Sequence, residues 1–272
     1  MPLAVCATPI GNLRDVTLRV LDELAEADLV LCEDTRRTRI LLDRHGLSAR
    51  LVSYHEHNEA ARTAEVLPQL EAGASVALVS DAGLPGVSDP GARLIAAALE
   101  RGVAVTVLPG ASAVETALVA SGFASERYQF LGYLPRGEAA LVAVWDELRR
   151  WPWPVVAFES PRRLPRTLAS LAGALPERPV AVCRELTKQF EEVVRGNPSA
   201  VAERFSEPPK GEITVVLGPS AESASSRDED LALAALDELV SAGLARRQGA
   251  DLVARLTGMS RNTLYRRSVT KL

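Results

Sequence analysis

The 272-residue chain is 47% hydrophobic and 24% charged with a formal charge of −4, the balance of a globular protein with room for one large or two medium domains. No apolar run reaches the length of a bilayer span and the first residues carry no basic n-region, so neither a membrane partner nor a signal peptide is expected. Cys6, Cys32 and Cys183 sit in apolar runs without C-x-x-C spacing, which predicts buried, reduced thiols, no metal site and a cytoplasmic protein.

Strand-like runs occur at residues 3–7, 29–32, 51–54, 75–79 and 103–108. Between them lie helical patterns such as Val20, Leu21, Leu24 and Ala25, or Ala64, Val66, Leu67 and Leu70. Continuously apolar strands alternating with helices predict a parallel sheet covered on both faces. The strands end in T-P-I-G-N (8–12), C-E-D-T-R-R-T (32–38), S-Y-H-E-H-N-E (53–59), V-S-D-A-G-L-P-G-V-S-D-P-G (79–91) and P-G-A-S-A (109–113). The fourth segment is too rich in glycine and proline for helix or strand. It reads as a loop with a prescribed path, with Asp81 at the carboxyl end of its strand, where open α/β sheets bind ligands. Asp34 and Ser112 would serve equally as helix caps, but polar ends on every strand predict a ligand-binding edge.

A second unit begins near Gly122, with strands expected at 130–134, 155–158, 180–183 and 213–217 and helices at 141–151, 162–175 and 198–205. An extra short strand at 190–197 makes this sheet mixed. Its edge carries F-E-S-P (158–161), R-E-L-T-K (184–188) and G-E-I-T (211–214). Residues 220–230 read as a flexible linker. Helices are expected at 231–242, 245–256 and 261–268, the last two arranged around Gly258 as a helix-turn-helix or as part of a small bundle. The expected division is a parallel α/β domain (1–121), a mixed α/β domain (122–219), the linker, and a basic helical extension (231–272). Residues 244–272 hold seven basic groups and one acid, a local charge of +6 that leaves −10 on the rest of the chain. Such a tail suits a polyanion or is a solvated helix face.

Several chemistries lack their signatures. The chain has no G-x-x-x-x-G-K-[ST], no G-x-G-x-x-G after the first strand and no G-x-S-x-G. What remains is a site of backbone groups and a few acids, suited to a cationic or zwitterionic ligand with an adenine-like ring.

Over residues 3–219 the quoted strand-end segments, in this order, closely resemble the tetrapyrrole-methylase-like (class III) methyltransferases. They resemble most the members that 2′-O-methylate a cytidine in the decoding region of 16S rRNA. The resemblance implies two α/β domains holding S-adenosylmethionine in the cleft between them, usually as a homodimer, with 16S rRNA in the 30S subunit as substrate. It implies cofactor contacts from Pro9, Asp81, Ala82, Gly83, Leu84, Val87, Ser112, Ala113, Phe158, Glu159, Gly211, Glu212 and Thr214. A ribose hydroxyl gains from a base or a nearby cation. Asp34, Glu185 and Lys188 are the catalytic candidates, with Glu33 and His55 as further possible bases. Against these stand a capping role for Asp34 and an ion pair for Glu185. Arg36, Arg37, Arg184 and His55 are the expected RNA contacts. The competing functions are a methyltransferase of the same fold acting on a tetrapyrrole or a modified protein residue, and a non-enzymatic nucleic-acid-binding regulator.

Overall fold

A computed structural model describes residues 2–270, without the side chains of 221–230 and 270. The first unit has strands β1 (Leu3–Cys6), β2 (Leu29–Cys32), β3 (Leu51–Ser53), β4 (Val76–Val79) and β5 (Val105–Leu108). They form a wholly parallel sheet in the order β3-β2-β4-β1-β5. Its helices are α1 (Leu18–Glu26), α2 (Thr35–Arg44), α3 (Glu59–Glu71), α4 (Ala92–Glu100) and α5 (Ala113–Ser121). The three inner strands are buried on both faces, which is why they read as continuous apolar runs. Leu3, Leu31 and Leu78 face Val66, Leu70 and Leu94 on one side. Cys6, Val30 and Ala77 face Leu24, Leu41 and Leu42 on the other.

The second unit has β6 (Gln129–Tyr133), β7 (Val155–Glu159), β8 (Val180–Arg184), β9 (Glu192–Gly196) and β10 (Ile213–Leu217), with α6 (Glu138–Leu148), α7 (Leu164–Ala174) and α8 (Pro198–Arg204). The order is β6-β7-β10-β8-β9, mixed as expected, with only β6 and β7 parallel. One face packs on Trp145, Leu164, Leu168 and Leu171. The other packs on Val114, Ala117 and Leu118 of α5. The boundary expected at 121 therefore falls behind a helix that lies against the second sheet. Arg195 of β9 also donates to the Ser121 carbonyl at 2.9 Å, so the cleft has a shared wall.

The buried Arg178 ties the far end of this unit together, donating to the carbonyls of Gly218 (2.9 Å), Leu148 (2.5 Å) and Trp153 (2.8 Å). Burial pulls its guanidinium down to about 10.

The carboxyl-terminal helices are α9 (Ala221–Ser241), α10 (Arg246–Thr257) and α11 (Arg261–Thr270). The expected linker is corrected in part: α9 begins at Ala221, and its first half takes in that stretch. Ala, Glu, Ser, Arg and Asp can continue a helix without an apolar stripe when a buried segment follows. Leu233 and Leu236 supply that anchor against Ala250, Val253 and Leu264. Gly258 closes α10 at φ 74, giving the helix-turn-helix spacing. Lys271 lies outside the described residues.

Trp145 is fully buried and its indole N–H donates to Ser170 Oγ at 3.1 Å. Trp145→Ala should destabilise the chain by about 3–5 kcal/mol, read as a lower urea midpoint by circular dichroism.

Candidate active site

The carboxyl ends of the first sheet face the second sheet across a cavity of about 560 Å³. Its floor is set by a short antiparallel bridge between the loops after β1 and β4. Thr8 N–H donates to Gly83 O at 2.8 Å and Gly83 N–H donates to Thr8 O at 3.0 Å. The Thr8 hydroxyl donates to Ser80 O at 3.0 Å. Gly83 holds φ 80, a conformation that side-chain-bearing residues rarely adopt. Above this floor stand the start of α5 (Ser112, Ala113, Val114) and an aromatic wall from the second sheet. Phe130 and Phe158 meet edge to face at 5.0 Å between centroids, and Tyr133 meets Phe158 at 5.6 Å. That wall offers a flat heterocycle an apolar, edge-rich surface.

Acids dominate the other side. Asp81 accepts from Asp34 N–H at 2.9 Å and pairs with Arg37 at 3.4 Å. Glu33, Asp89 and Glu212 also line the cavity. Burial, with Asp81 nearby, raises the Glu33 carboxyl. Burial, then the charges of Glu33 and Asp81, push Asp89 up to about 6. Glu115 accepts from Tyr128 at 2.6 Å and from the Ser112 hydroxyl. A smaller cavity of about 210 Å³ adjoins, sharing Ile10, Arg37, Asp81, Ala82 and Glu212 and adding Pro9 and Lys188.

Of the expected cofactor contacts, Asp81, Ala82, Gly83, Leu84, Val87, Ser112, Ala113, Phe158, Glu212 and Thr214 line the main cavity, and Pro9 the smaller one. Glu159 does not. Strand alternation turns it to the opposite face of β7 from Phe158, where it accepts from Arg163 Nε at 2.7 Å and the Thr167 hydroxyl at 2.6 Å. Gly211 lies beside the cavity wall rather than in it. At φ 99, a Cβ there would stand 2.4 Å from Glu185 Cγ, so its bare backbone makes room for Glu185.

The catalytic and RNA candidates also separate. Asp34 caps α2 by accepting from Arg36 N–H at 2.9 Å and pairs with the Arg36 guanidinium at 2.7 Å. Those hydrogen bonds hold its carboxyl down at about 2, too weak a base for a hydroxyl proton. Glu185 accepts from Lys188 at 2.8 Å and from Glu212 N–H at 3.0 Å, which lowers its carboxyl. Burial acts to lower the Lys188 ammonium, but its bonds to Glu185 and to Glu212 (2.9 Å) raise it overall. Lys188 is thus a firm cation at the rim. Arg37 joins it there, while Arg36 is exposed and spent on Asp34. Arg184 turns to Glu192 at 3.0 Å and Lys210 O at 3.2 Å, away from both cavities. His55 sits behind Glu33, its Nε2 beside Asn58 Nδ2 at 3.2 Å and its Nδ1 buried without a partner.

The sequence reading missed Asp89, Tyr128, Phe130 and Tyr133 as lining residues. Asp89 was visible inside the glycine-rich loop. The aromatics lie on or just before β6, and their place opposite that loop is set by tertiary packing. Cys183 reaches the cavity, but burial pushes its thiol up to about 12, so it is no nucleophile at neutral pH. The donor set fits S-adenosylmethionine: carboxylates for a sulfonium and an ammonium, backbone groups for a carboxylate, an aromatic wall for a purine.

Residues 2–202 match the family Tetrapyrrole (Corrin/Porphyrin) Methylases; the chain belongs to this family of methyltransferases. Among its relatives is the Ribosomal RNA small subunit methyltransferase I of Mesorhizobium japonicum, 44% identical over 97% of this chain and 90% of the relative. The protein of the same name from Thermotoga maritima is 43% identical, with 97% of its length matched to 79% of this chain. The uroporphyrin-III C-methyltransferase of Thermus thermophilus, solved with S-adenosylhomocysteine, superposes with a TM-score of 0.55 at 20% identity, over 79% of this chain and 96% of that one.

Asp81→Ala removes both the Asp34 N–H acceptor and the Arg37 partner from the cavity floor. Calorimetry should show S-adenosylmethionine affinity lower by about tenfold or more, the scale of one charged hydrogen bond. Unchanged affinity would take Asp81 out of the cofactor site.

Proposed function

We propose that the chain transfers the methyl group of S-adenosylmethionine to 16S rRNA of the small ribosomal subunit, at the 2′-hydroxyl of a cytidine in the decoding region. One observation carries the reading. An aromatic wall, a carboxylate-lined floor and a cationic rim meet around one cavity, in a chain 44% identical to a small-subunit rRNA methyltransferase along nearly its whole length. The cofactor supplies an activated methyl group. The chain's residues fix its position: Phe158, Phe130 and Tyr133 against the purine, Ser112 and the 81–84 backbone around the methionine end, Asp81 and its neighbouring carboxylates facing the positive charges. Most of the rate comes from holding the ribose oxygen in line with that methyl group.

RNA binding needs local positive charge because the body is acidic. Arg37 and Lys188 stand at the rim of the cleft and suit phosphates flanking the target ribose. The exposed Arg247, Arg255 and Arg261 of α10 and α11 add a second basic surface. On this reading the chain works in the cytoplasm as a homodimer, and apolar surface open to a second copy is present at Val107 on the edge strand β5, 51% exposed, and at Val119 on α5, 69% exposed.

The test is transfer of a labelled methyl group to 30S subunits, naked rRNA and a porphyrinogen in parallel. Alkali-resistant label in subunit rRNA is the expected result. Label in the porphyrinogen alone would replace the proposal with tetrapyrrole methylation, and cofactor binding without any transfer would favour a regulator.

Charge reversal of Arg255 and Arg261 together should weaken binding to 30S subunits and flatten the dependence of log affinity on log salt by about two ions. Cofactor affinity should stay at the wild-type value. An unchanged salt slope would exclude the extension from the RNA interface.

A further inference from the structure

The chain has five phenylalanines. Four are buried or partly buried, and Phe190 is 65% exposed. It lies in the turn between β8 and β9, two residues after Lys188 at the rim of the smaller cavity, and lines neither cavity itself. Single exposed apolar side chains are common, so exposure alone assigns nothing. What sets Phe190 apart is the turn that presents it and its place beside the cleft.

That turn is fixed to both units. Glu185 N–H donates to Glu212 O at 3.0 Å, Lys188 N–H to Glu185 O at 3.0 Å and Glu191 N–H to Lys188 O at 3.1 Å. Thr187 N–H donates to Glu191 Oε2 at 2.6 Å, and the Thr187 hydroxyl accepts from Asn12 N–H at 3.0 Å. A Cβ on Gly11 would stand 2.5 Å from Lys188 Cγ, so the first loop of the other unit lies flush against the turn. Leu186 pins it from within, 6% exposed. An aromatic carried on so constrained a backbone has little freedom left to lose on binding.

A ribose hydroxyl can align with a methyl group inside the cleft only if its nucleotide leaves the base stack, and that bares the faces of the flanking bases. Single-stranded RNA is recognised largely by aromatic rings on which such bases stack. Lys188 stands beside Phe190 as a phosphate contact. Two of its three N–H donors go to Glu185 and Glu212, and the third can reach a phosphate. The two Cα atoms are at most about 7 Å apart, so the phosphate and the stacked base belong to the same or the next nucleotide. The carboxylates next to Phe190 are engaged: Glu191 by the Thr187 amide, Glu192 by Arg184 and Arg204. Because the rim cations are shared with acids, charge alone grips RNA weakly there. Stacking is not weakened by that sharing.

Resting on the proposed function, we propose that Phe190 is an RNA contact: its ring stacks on an unpaired base flanking the target cytidine while Lys188 holds the adjoining phosphate. Together they set the register of the strand at the mouth of the cleft, so that one ribose enters.

The test compares wild type with Phe190→Ala, Phe190→Leu and Phe190→Trp by methyl transfer to 30S subunits at several salt concentrations. Cofactor affinity is read by calorimetry and oligomeric state by size-exclusion chromatography. Phe190→Ala should lose about tenfold in kcat/KM for the subunit, the scale of one stacked base. The loss should be the same at every salt concentration, because a phenyl ring releases no counterions. Phe190→Leu should lose nearly as much, and Phe190→Trp should keep wild-type activity. Cofactor affinity and oligomeric state should match wild type in all three. Wild-type kcat/KM in Phe190→Ala would overturn the assignment, as would full activity in Phe190→Leu, which would leave an apolar contact without stacking. A loss that tracks dissociation into monomers would place Phe190 against a second copy of the chain instead of RNA. A loss that tracks weaker cofactor binding would overturn the RNA contact too. Wild-type inactivity on every RNA would overturn the proposed function, and the contact with it.

Discussion

The cleft depends on the small bridge between Thr8 and Gly83. Each residue donates its amide to the other's carbonyl, so the loops after the first and fourth strands are fixed as one unit at the point where β1 and β4 lie side by side. The Thr8 hydroxyl adds a bond to Ser80 O, and the Ser80 hydroxyl closes on Gly83 O at 3.2 Å. These bonds satisfy backbone groups that would otherwise be buried unpaired. They also place Asp81, between Ser80 and Gly83, at the cavity floor. Once Asp81 is placed, the Asp34 amide and Arg37 follow, and the start of α2 is docked to the same floor.

The second sheet is held over this floor from two sides. Helix α5 leaves the first sheet and lies on the second, and Ile10 from the first loop joins the same apolar cluster as Ala181, Leu186 and Val216. On the opposite lip, Asn12 N–H donates to the Thr187 hydroxyl at 3.0 Å. Thr187 and Glu185 both hold positive φ, 65 and 52, in a strained turn that the surrounding contacts keep in place. The strain has a visible consequence: the turn sends Lys188 back between Glu185 and Glu212, where an ammonium can stand at the rim without being drawn into the acidic floor.

Much of the fold was legible because its physical causes are local. Continuous apolar runs mark strands covered on both faces, and their number and type came through in both sheets. The start of α9 did not, since a segment without large apolar residues gives no periodic signal and depends on the buried residues that follow it. The site was legible as a set of strand ends and less so as a set of roles. Phe158 and Glu159 are adjacent in one motif, yet alternation sends one to the cavity and the other to Arg163 and Thr167. Asp34 and Asp81 were both candidate acids, and only tertiary contact shows one capping a helix and the other anchoring the floor. The family resemblance implied a cofactor contact at Gly211, but the close approach its bare backbone permits is to Glu185.

The basic extension stands apart from this machinery. The Thermotoga maritima relative is matched over 97% of its own length by only 79% of this chain, whereas the Mesorhizobium japonicum relative spans 97% of it. The two share one name, and the 216 residues matched to the shorter relative are about the length of the two-sheet body without the carboxyl-terminal helices. Their core is separate too: Leu233, Leu236, Val253 and Leu264 pack among themselves rather than on either sheet. A unit with its own core and its own excess of positive charge can change how a polyanion is gathered without altering the cavity. Charge of this kind raises encounter rates and general affinity more than it sets chemistry. On the proposed function, selection of the reacting hydroxyl is then left to the cleft, where the aromatic wall, the cationic rim and the acidic floor meet.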